Sequence, residues 1–250
     1  MRRALLTTLA LALGVSLGPT SAAVDPAAAQ QNQEAADLEA KGDSLRGRAE
    51  YSEAVKCYRR ALHAGGNQTA LYNKIGMAYL RLNLYPVAQE AFEQAFKRNP
   101  NDASVLNNLG VASHLQKKYE RAVKWYKKAL ALNEGEPAFH YNLGGSWFAL
   151  SKFDRANAEY ARALELDPNA FTNLEEQGIA GQHAGLDRGK LSYMMARLYA
   201  SRGDLDRALA SLQKAKEQHY ENLDDVYRDK EFTLLWKDAR LGQLIRPARR

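Results

Sequence analysis

The chain has 250 residues, 46% apolar and 26% charged, close to globular averages, which excludes a globally disordered polypeptide. Its formal charge of +6 is too modest to mark a nucleic-acid binder by itself, and its single cysteine, Cys57, excludes an intrachain disulfide and any metal site built on several thiolates. Proline is scarce, alanine and leucine are abundant, and the Val/Ile/Thr runs that signal strands are missing, so an all-helical protein is expected.

Residues 1–23 read as a secretory signal peptide. Arg2 and Arg3 precede an apolar run from Ala4 to about Gly18, and the small residues Ser21 and Ala23 stand where an export peptidase would read them. The run is shorter than the ~20 residues that span a bilayer, so cleavage is expected rather than an anchor, and no later segment is long and apolar enough to cross. Residues 24–34 read as a linker. The expected destination is the periplasm or the medium.

From there a period of 34 residues governs the chain. It links Gly42, Gly76, Gly110 and Gly144. It also links Ala54, Ala88, Ala122 and Ala156, then Tyr58, Phe92, Tyr126 and Tyr160, then Ala61, Ala95, Ala129 and Ala163. Each unit reads as two helices. The first carries residues such as Tyr72, Ile75, Gly76 and Tyr79 on one stripe, and the second Tyr85, Ala88, Phe92, Ala95 and Phe96. The glycine and the alanine twelve residues later are small so that the two helices of a hairpin can approach closely. "NPND" (99–102) and "DPN" (167–169) end the second helix, and Asp102 can cap the next one. Units are expected at 35–68, 69–102, 103–136 and 137–170. An insertion follows at 171–188, then a fifth unit at 189–222, in which Ala196 replaces the glycine, and a C-terminal cap and basic tail at 223–250.

The motifs "YNKIGMAYL…AQEAFEQAF…NP", "LNNLGVASHL…AVKWYKKAL" and "YNLGGSWFAL…ANAEYARAL…DP" resemble the tetratricopeptide repeat family, in the form found in exported bacterial proteins. The unit at 35–68 is weaker, with Lys41 where the family wants Leu. The resemblance implies an all-α, right-handed superhelical solenoid of antiparallel helix pairs. Its C-terminal segment, carrying Phe232, Leu235, Trp236, Leu241 and Leu244, would form a short amphipathic helix over the last repeat. Trp236 as a partner site is the alternative.

In such a stack the first helices line a concave groove. Helical periodicity places Asn73, Met77, Leu80 and Arg81 there from the second unit, Asn107, Val111 and His114 from the third, and Tyr141 and Phe148 from the fourth. Asn108 and Asn142 stand one period apart at the groove's flank, with Lys74 in that column before them. The resemblance implies that such asparagines hydrogen-bond the backbone of an extended peptide; bonding to neighbouring helices is the other reading. A neutral hydrogen bond nets about 0.5–1.5 kcal/mol and a buried apolar side chain about 1.5–3 kcal/mol. The apolar residues would therefore supply affinity and the amides register, which calls for a protein or peptide partner with apolar anchors.

No catalytic motif is present, and no phosphate-binding loop. No cofactor or metal is expected. His63, His114, His140, His183 and His219 are scattered, and the basic stretch "KKYERAVKWYKK" (117–128) reads as a solvated helix face rather than a nucleic-acid site. A non-enzymatic adaptor is expected. The alternative is a structural or self-assembling component of a bacterial envelope complex.

Overall fold

The structure, a computed structural model, describes residues 26–171 and 187–246. The signal-peptide segment and nearly all of the 171–188 insertion lie outside the described residues. The described chain forms five helix pairs in sequence: α1 (Pro26–Gly47) with α2 (Tyr51–His63), α3 (Gln68–Arg81) with α4 (Tyr85–Arg98), and α5 (Ala103–Leu115) with α6 (Tyr119–Leu132). Then come α7 (Pro137–Ala149) with α8 (Phe153–Leu166), and α9 (Arg188–Ser201) with α10 (Leu205–Glu217). Each helix packs on its pair partner, and each of the first three pairs packs on the next. No strand occurs among the described residues. The all-helical solenoid expected from the period is the observed architecture.

The spacing of apolar residues sets this arrangement, and one contact repeats in four pairs. A Cβ built on Gly42 would lie 2.4 Å from the Tyr58 ring, on Gly76 2.4 Å from Phe92, on Gly110 2.4 Å from Tyr126, and on Gly144 2.8 Å from Tyr160. The glycine backbone is therefore the seat of an aromatic ring that is itself fully buried. In the fifth pair the rule changes on both sides at once. Ala196 stands for the glycine, and the residue equivalent to the ring is Leu212, small enough to leave room for a methyl group.

A second device recurs at the turn within each pair. Ala49, Asn83, Lys117 and Ser151 adopt left-handed backbone (φ of 61°, 59°, 60° and 57°), and Gly203 takes the same place in the fifth pair (77°). The turn closes the first helix, as where Leu84 N–H donates to Tyr79 C=O (3.0 Å). Asp102 caps α5 as its position suggests, its carboxylate accepting from Ser104 N–H and Val105 N–H.

Two features differ from the sequence expectation. Helix α1 begins at Pro26, so residues 26–34 of the stretch assigned to a linker are its first turns; "PAAAQQNQEAA" combines strong helix formers with a proline at the N-terminal position it tolerates best. The C-terminal segment is not one amphipathic helix. It is three single 3-10 turns (Leu223–Tyr227, Lys230–Phe232, Leu235–Lys237) and the six-residue α11 (Ala239–Leu244). These still cover the last pair: Phe232, Leu235 and Leu241 are buried, Tyr193 Oη donates to Asp229 (2.9 Å), and Lys216 Nζ donates to Leu244 C=O (2.8 Å).

Candidate functional site

The first helices of neighbouring pairs lie side by side, α3 against α5 and α5 against α7. This brings four asparagines into a row. Asn142 Nδ2 donates to Asn107 Oδ1 (2.9 Å), Asn107 Nδ2 to Asn108 Oδ1 (3.4 Å), and Asn108 Nδ2 to Asn73 Oδ1 (2.8 Å). The two inter-helix bonds each span 35 residues, one period plus one, so the same geometry is repeated between α3 and α5 and between α5 and α7. Every link is side chain to side chain. The row continues toward the N-terminus as charge: Lys74 Nζ lies 2.6 Å from Glu39 and 2.6 Å from Asp43, and Asp43 also accepts from Tyr58 Oη (2.8 Å).

These contacts set the local electrostatics. Burial works to raise the Asp43 carboxyl, but hydrogen bonds from Lys74 and Tyr58 outweigh it and hold the group below its ordinary value. Burial likewise opposes charge on Lys74, yet its two carboxylate partners raise its pKa. The Tyr58 hydroxyl is pushed up to about 12 by burial and by its bond to Asp43.

The eleven residues assigned to the groove divide into two groups. Met77 and Arg81 are exposed, and Asn73, Leu80 and Asn108 are half-buried. Asn107, Val111, His114, Tyr141, Asn142 and Phe148 are buried, each at 9% exposure or less. For those six the expectation of an open inner wall is corrected. Tyr141 packs its ring against Phe171 (5.1 Å) and Tyr160 (5.7 Å), and Phe148 packs against Phe153 (5.2 Å). Val111 joins a cluster with Val123, Tyr126 and Leu143. His114 Nδ1 is 2.8 Å from Ser146 Oγ. Asn142, placed at the groove's flank from sequence, is only 3% exposed, and its Oδ1 is buried without a hydrogen-bond partner. Aromatic residues of α8 and Phe171 close over the wall at α7, and a single-helix projection does not contain them.

Sequence reasoning missed Ser146, the partner of His114, and the pair His140 Nδ1–Glu159 Oε2 (2.8 Å). Neither pair of residue types recurs at the equivalent positions of other repeats, so the period carries no signal for them. Among the described residues no group of three His, Cys, Asp or Glu is placed to hold a metal, and no helix is long and apolar enough to cross a membrane. Cys57 is buried.

Models of the tetratricopeptide repeat match residues 73–137, 137–170 and 191–219, together about half of the chain. Among solved structures, a thermophilic TPR protein of Thermus thermophilus is similar at 24% identity and a TM-score of 0.52, covering 78% of this chain and 96% of its own. MamA protein is similar at 19% identity and 0.51, over 79% and 96%. YrrB, described as a TPR protein with an unusual peptide-binding site, is similar at 21% identity and 0.50, over 78% and 93%. At these identities the likeness is one of fold. No curated protein sequence matches the chain.

Proposed function

This chain belongs to the tetratricopeptide repeat family, and on that premise we propose that it is an exported, non-enzymatic adaptor that binds a peptide or partner helix along the first helices of its repeats. The row of amides carries this reading. Amides that bond only one another are bistable in a useful sense. Each asparagine both donates and accepts, so it can exchange an amide partner for a peptide C=O or N–H with little change in the number of bonds. Helix backbone groups, already committed within their helices, cannot do this.

Burial narrows the place. The contact surface is the α1–α3–α5 part of the wall, with Asn73 and Asn108 setting register and Met77 and Leu80 supplying apolar contact. Arg81 and the Lys74–Asp43–Glu39 cluster border it. The α7 residues support the wall from behind. Export rests on Arg2, Arg3, the apolar run to Gly18, and Ser21 and Ala23.

The test is selection of binding peptides on the mature chain, followed by affinity measurement on two variants. Met77→Ala combined with Asn108→Ala should weaken binding about tenfold or more, from one apolar contact and one exchanged hydrogen bond. Tyr141→Ala should act through stability and leave the affinity of the folded fraction unchanged. Unchanged affinity in the first variant refutes the wall as the site.

A further inference from the structure

The same period that repeats the fold exposes a place where it fails to repeat. Positions 91, 125 and 159 are equivalent, one on each of α4, α6 and α8, and they hold Ala91, Trp125 and Glu159. Ala91 and Trp125 each face the groove between their own helix and the second helix of the preceding pair. Between α4 and α6 that groove is filled by Trp125, whose ring meets Phe96 edge-on at 5.5 Å. On α8 the position holds Glu159, which bonds back to His140 of α7. Between α2 and α4 the filler is only a methyl group, and Leu62 stands where Phe96 stands one period later. What remains is a cleft of about 580 Å³, walled by Arg59, Leu62 and His63 of α2 and by Glu90, Ala91 and Gln94 of α4, with Tyr72, Ile75 and Tyr79 of α3 as its floor. A volume of this order accommodates a ligand group. On α3 the floor residues lie on the side opposite Met77, so the cleft is separate from the amide row.

We propose that this cleft is a second binding site, which takes a tryptophan side chain presented by an acidic stretch of a partner polypeptide. The chain itself supplies the template for the ring, because the equivalent space one repeat later is occupied by an indole. The floor is apolar and aromatic, and it includes Tyr79, whose hydroxyl is held by Arg59 Nη2 (2.9 Å). The Trp125 indole N–H is itself buried without a hydrogen-bond partner, so an indole in the cleft would gain from an acceptor that the template lacks. Glu90 offers one on the wall, where the equivalent residue beside Trp125 is Lys124. Flanking acidity follows from the α2 rim. Lys56 is tied to Glu53 (2.7 Å), whereas the exposed Arg59 and Arg60 have no carboxylate within ion-pair distance among the described residues. Arg59 on the cleft wall, with Arg60 next to it on the exposed face of α2, suits a Trp set among Asp and Glu, while the carboxylate of Glu90 on the same wall faces the indole N–H.

The probe is an acetylated, amidated peptide of sequence Glu-Asp-Trp-Asp-Glu, titrated into the mature chain at two salt concentrations with backbone amide NMR shifts as the readout. Shifts are expected at Tyr72, Tyr79, Ala91 and His63, and not at Asn73 or Asn108. Replacing the peptide's Trp by Ala should cost about tenfold or more in affinity. Ala91→Trp closes the cleft with the ring the fold already accepts at Trp125 and should lower affinity as far, with thermal denaturation confirming that it folds. Arg59→Gln with Arg60→Gln should lower affinity severalfold and flatten its salt dependence. Should Ala91→Trp not fold, the wild-type shift map decides alone. Shifts confined to the amide row, equal affinity of the Ala peptide, equal affinity of Ala91→Trp, or no binding each overturn the proposal. Apart from shifts confined to the amide row, none of these results bears on binding there, which the Met77 and Asn108 variants test separately.

Discussion

Gly110→Ala probes the contact on which four of the five pairs depend. The added Cβ would stand 2.4 Å from Tyr126 Cε1, 2.6 Å from Cδ1 and 2.8 Å from Cζ, where carbon atoms prefer about 3.5–4.0 Å. Relief requires about 1 Å of separation between α5 and α6 or displacement of a ring that is fully buried. Overpacking of this kind costs about 1–3 kcal/mol or more. Alanine in a helix interior returns about 0.5–1 kcal/mol relative to glycine. The net expectation is a loss of about 1–2 kcal/mol, measured by urea denaturation followed by circular dichroism. The fifth pair supplies the rescue. Ala196 lies opposite Leu212, so Tyr126→Leu in the Gly110→Ala background should recover stability. Tyr126→Leu alone should instead destabilise, by leaving a cavity over Gly110. The Tyr126 hydroxyl has no hydrogen-bond partner, so the swap forfeits none. A double mutant whose cost equals the sum of the single costs, or a Gly110→Ala protein as stable as wild type, refutes the ring-on-glycine account.

Other expectations follow from single features. Lys117→Gly and Ser151→Gly relieve left-handed backbone at φ of 60° and 57° and should each stabilise by about 1 kcal/mol in the same denaturation assay. Tyr126→Phe removes a buried hydroxyl without a partner and should be neutral or stabilising, whereas Tyr58→Phe breaks the 2.8 Å bond to Asp43 and should cost about 1 kcal/mol; equal effects would contradict the assignment. Because Asp43 titrates below its ordinary 3.8 in the fold, its contribution is present above that pH and fades as pH falls through the folded value. Lys74→Met should thus cost more at pH 7 than at pH 3, by about 1 kcal/mol or less after solvent screening of these partly exposed groups.

The parts of the fold visible in the sequence are those the period repeats. Glycine, alanine and aromatic columns make identical demands in pair after pair, so four copies of Gly–aromatic spacing reveal a contact that one copy would not. The left-handed turn also repeats, at 49, 83, 117 and 151, but its residues are Ala, Asn, Lys and Ser, and no side-chain column marks it. Helical projection matches the exposure of Met77 and Arg81 and misses the burial of Tyr141, Asn142 and Phe148. Projection from one helix tells which way a side chain points. Whether Tyr160 or Phe171 already stands there depends on a second helix and on Phe171, at the edge of a segment the period does not govern.

This division has a functional corollary. Contacts inside a pair are nearly invariant along the chain and hold the array together, so they have little freedom to encode a partner. Contacts between the second helices of successive pairs differ from one interval to the next: an open cleft at Ala91, an indole on Phe96 at Trp125. Stability in a stacked array is a sum of unit and interface terms, so an interface left partly unfilled weakens the array locally without unravelling it. Filling that interface from outside would add the stabilisation that Trp125 supplies from within. A ligand in the α2–α4 cleft is therefore expected to raise the protection of α1–α4 amides against hydrogen exchange more than that of α9 and α10, an asymmetry that a ligand bound elsewhere on the rod would not produce.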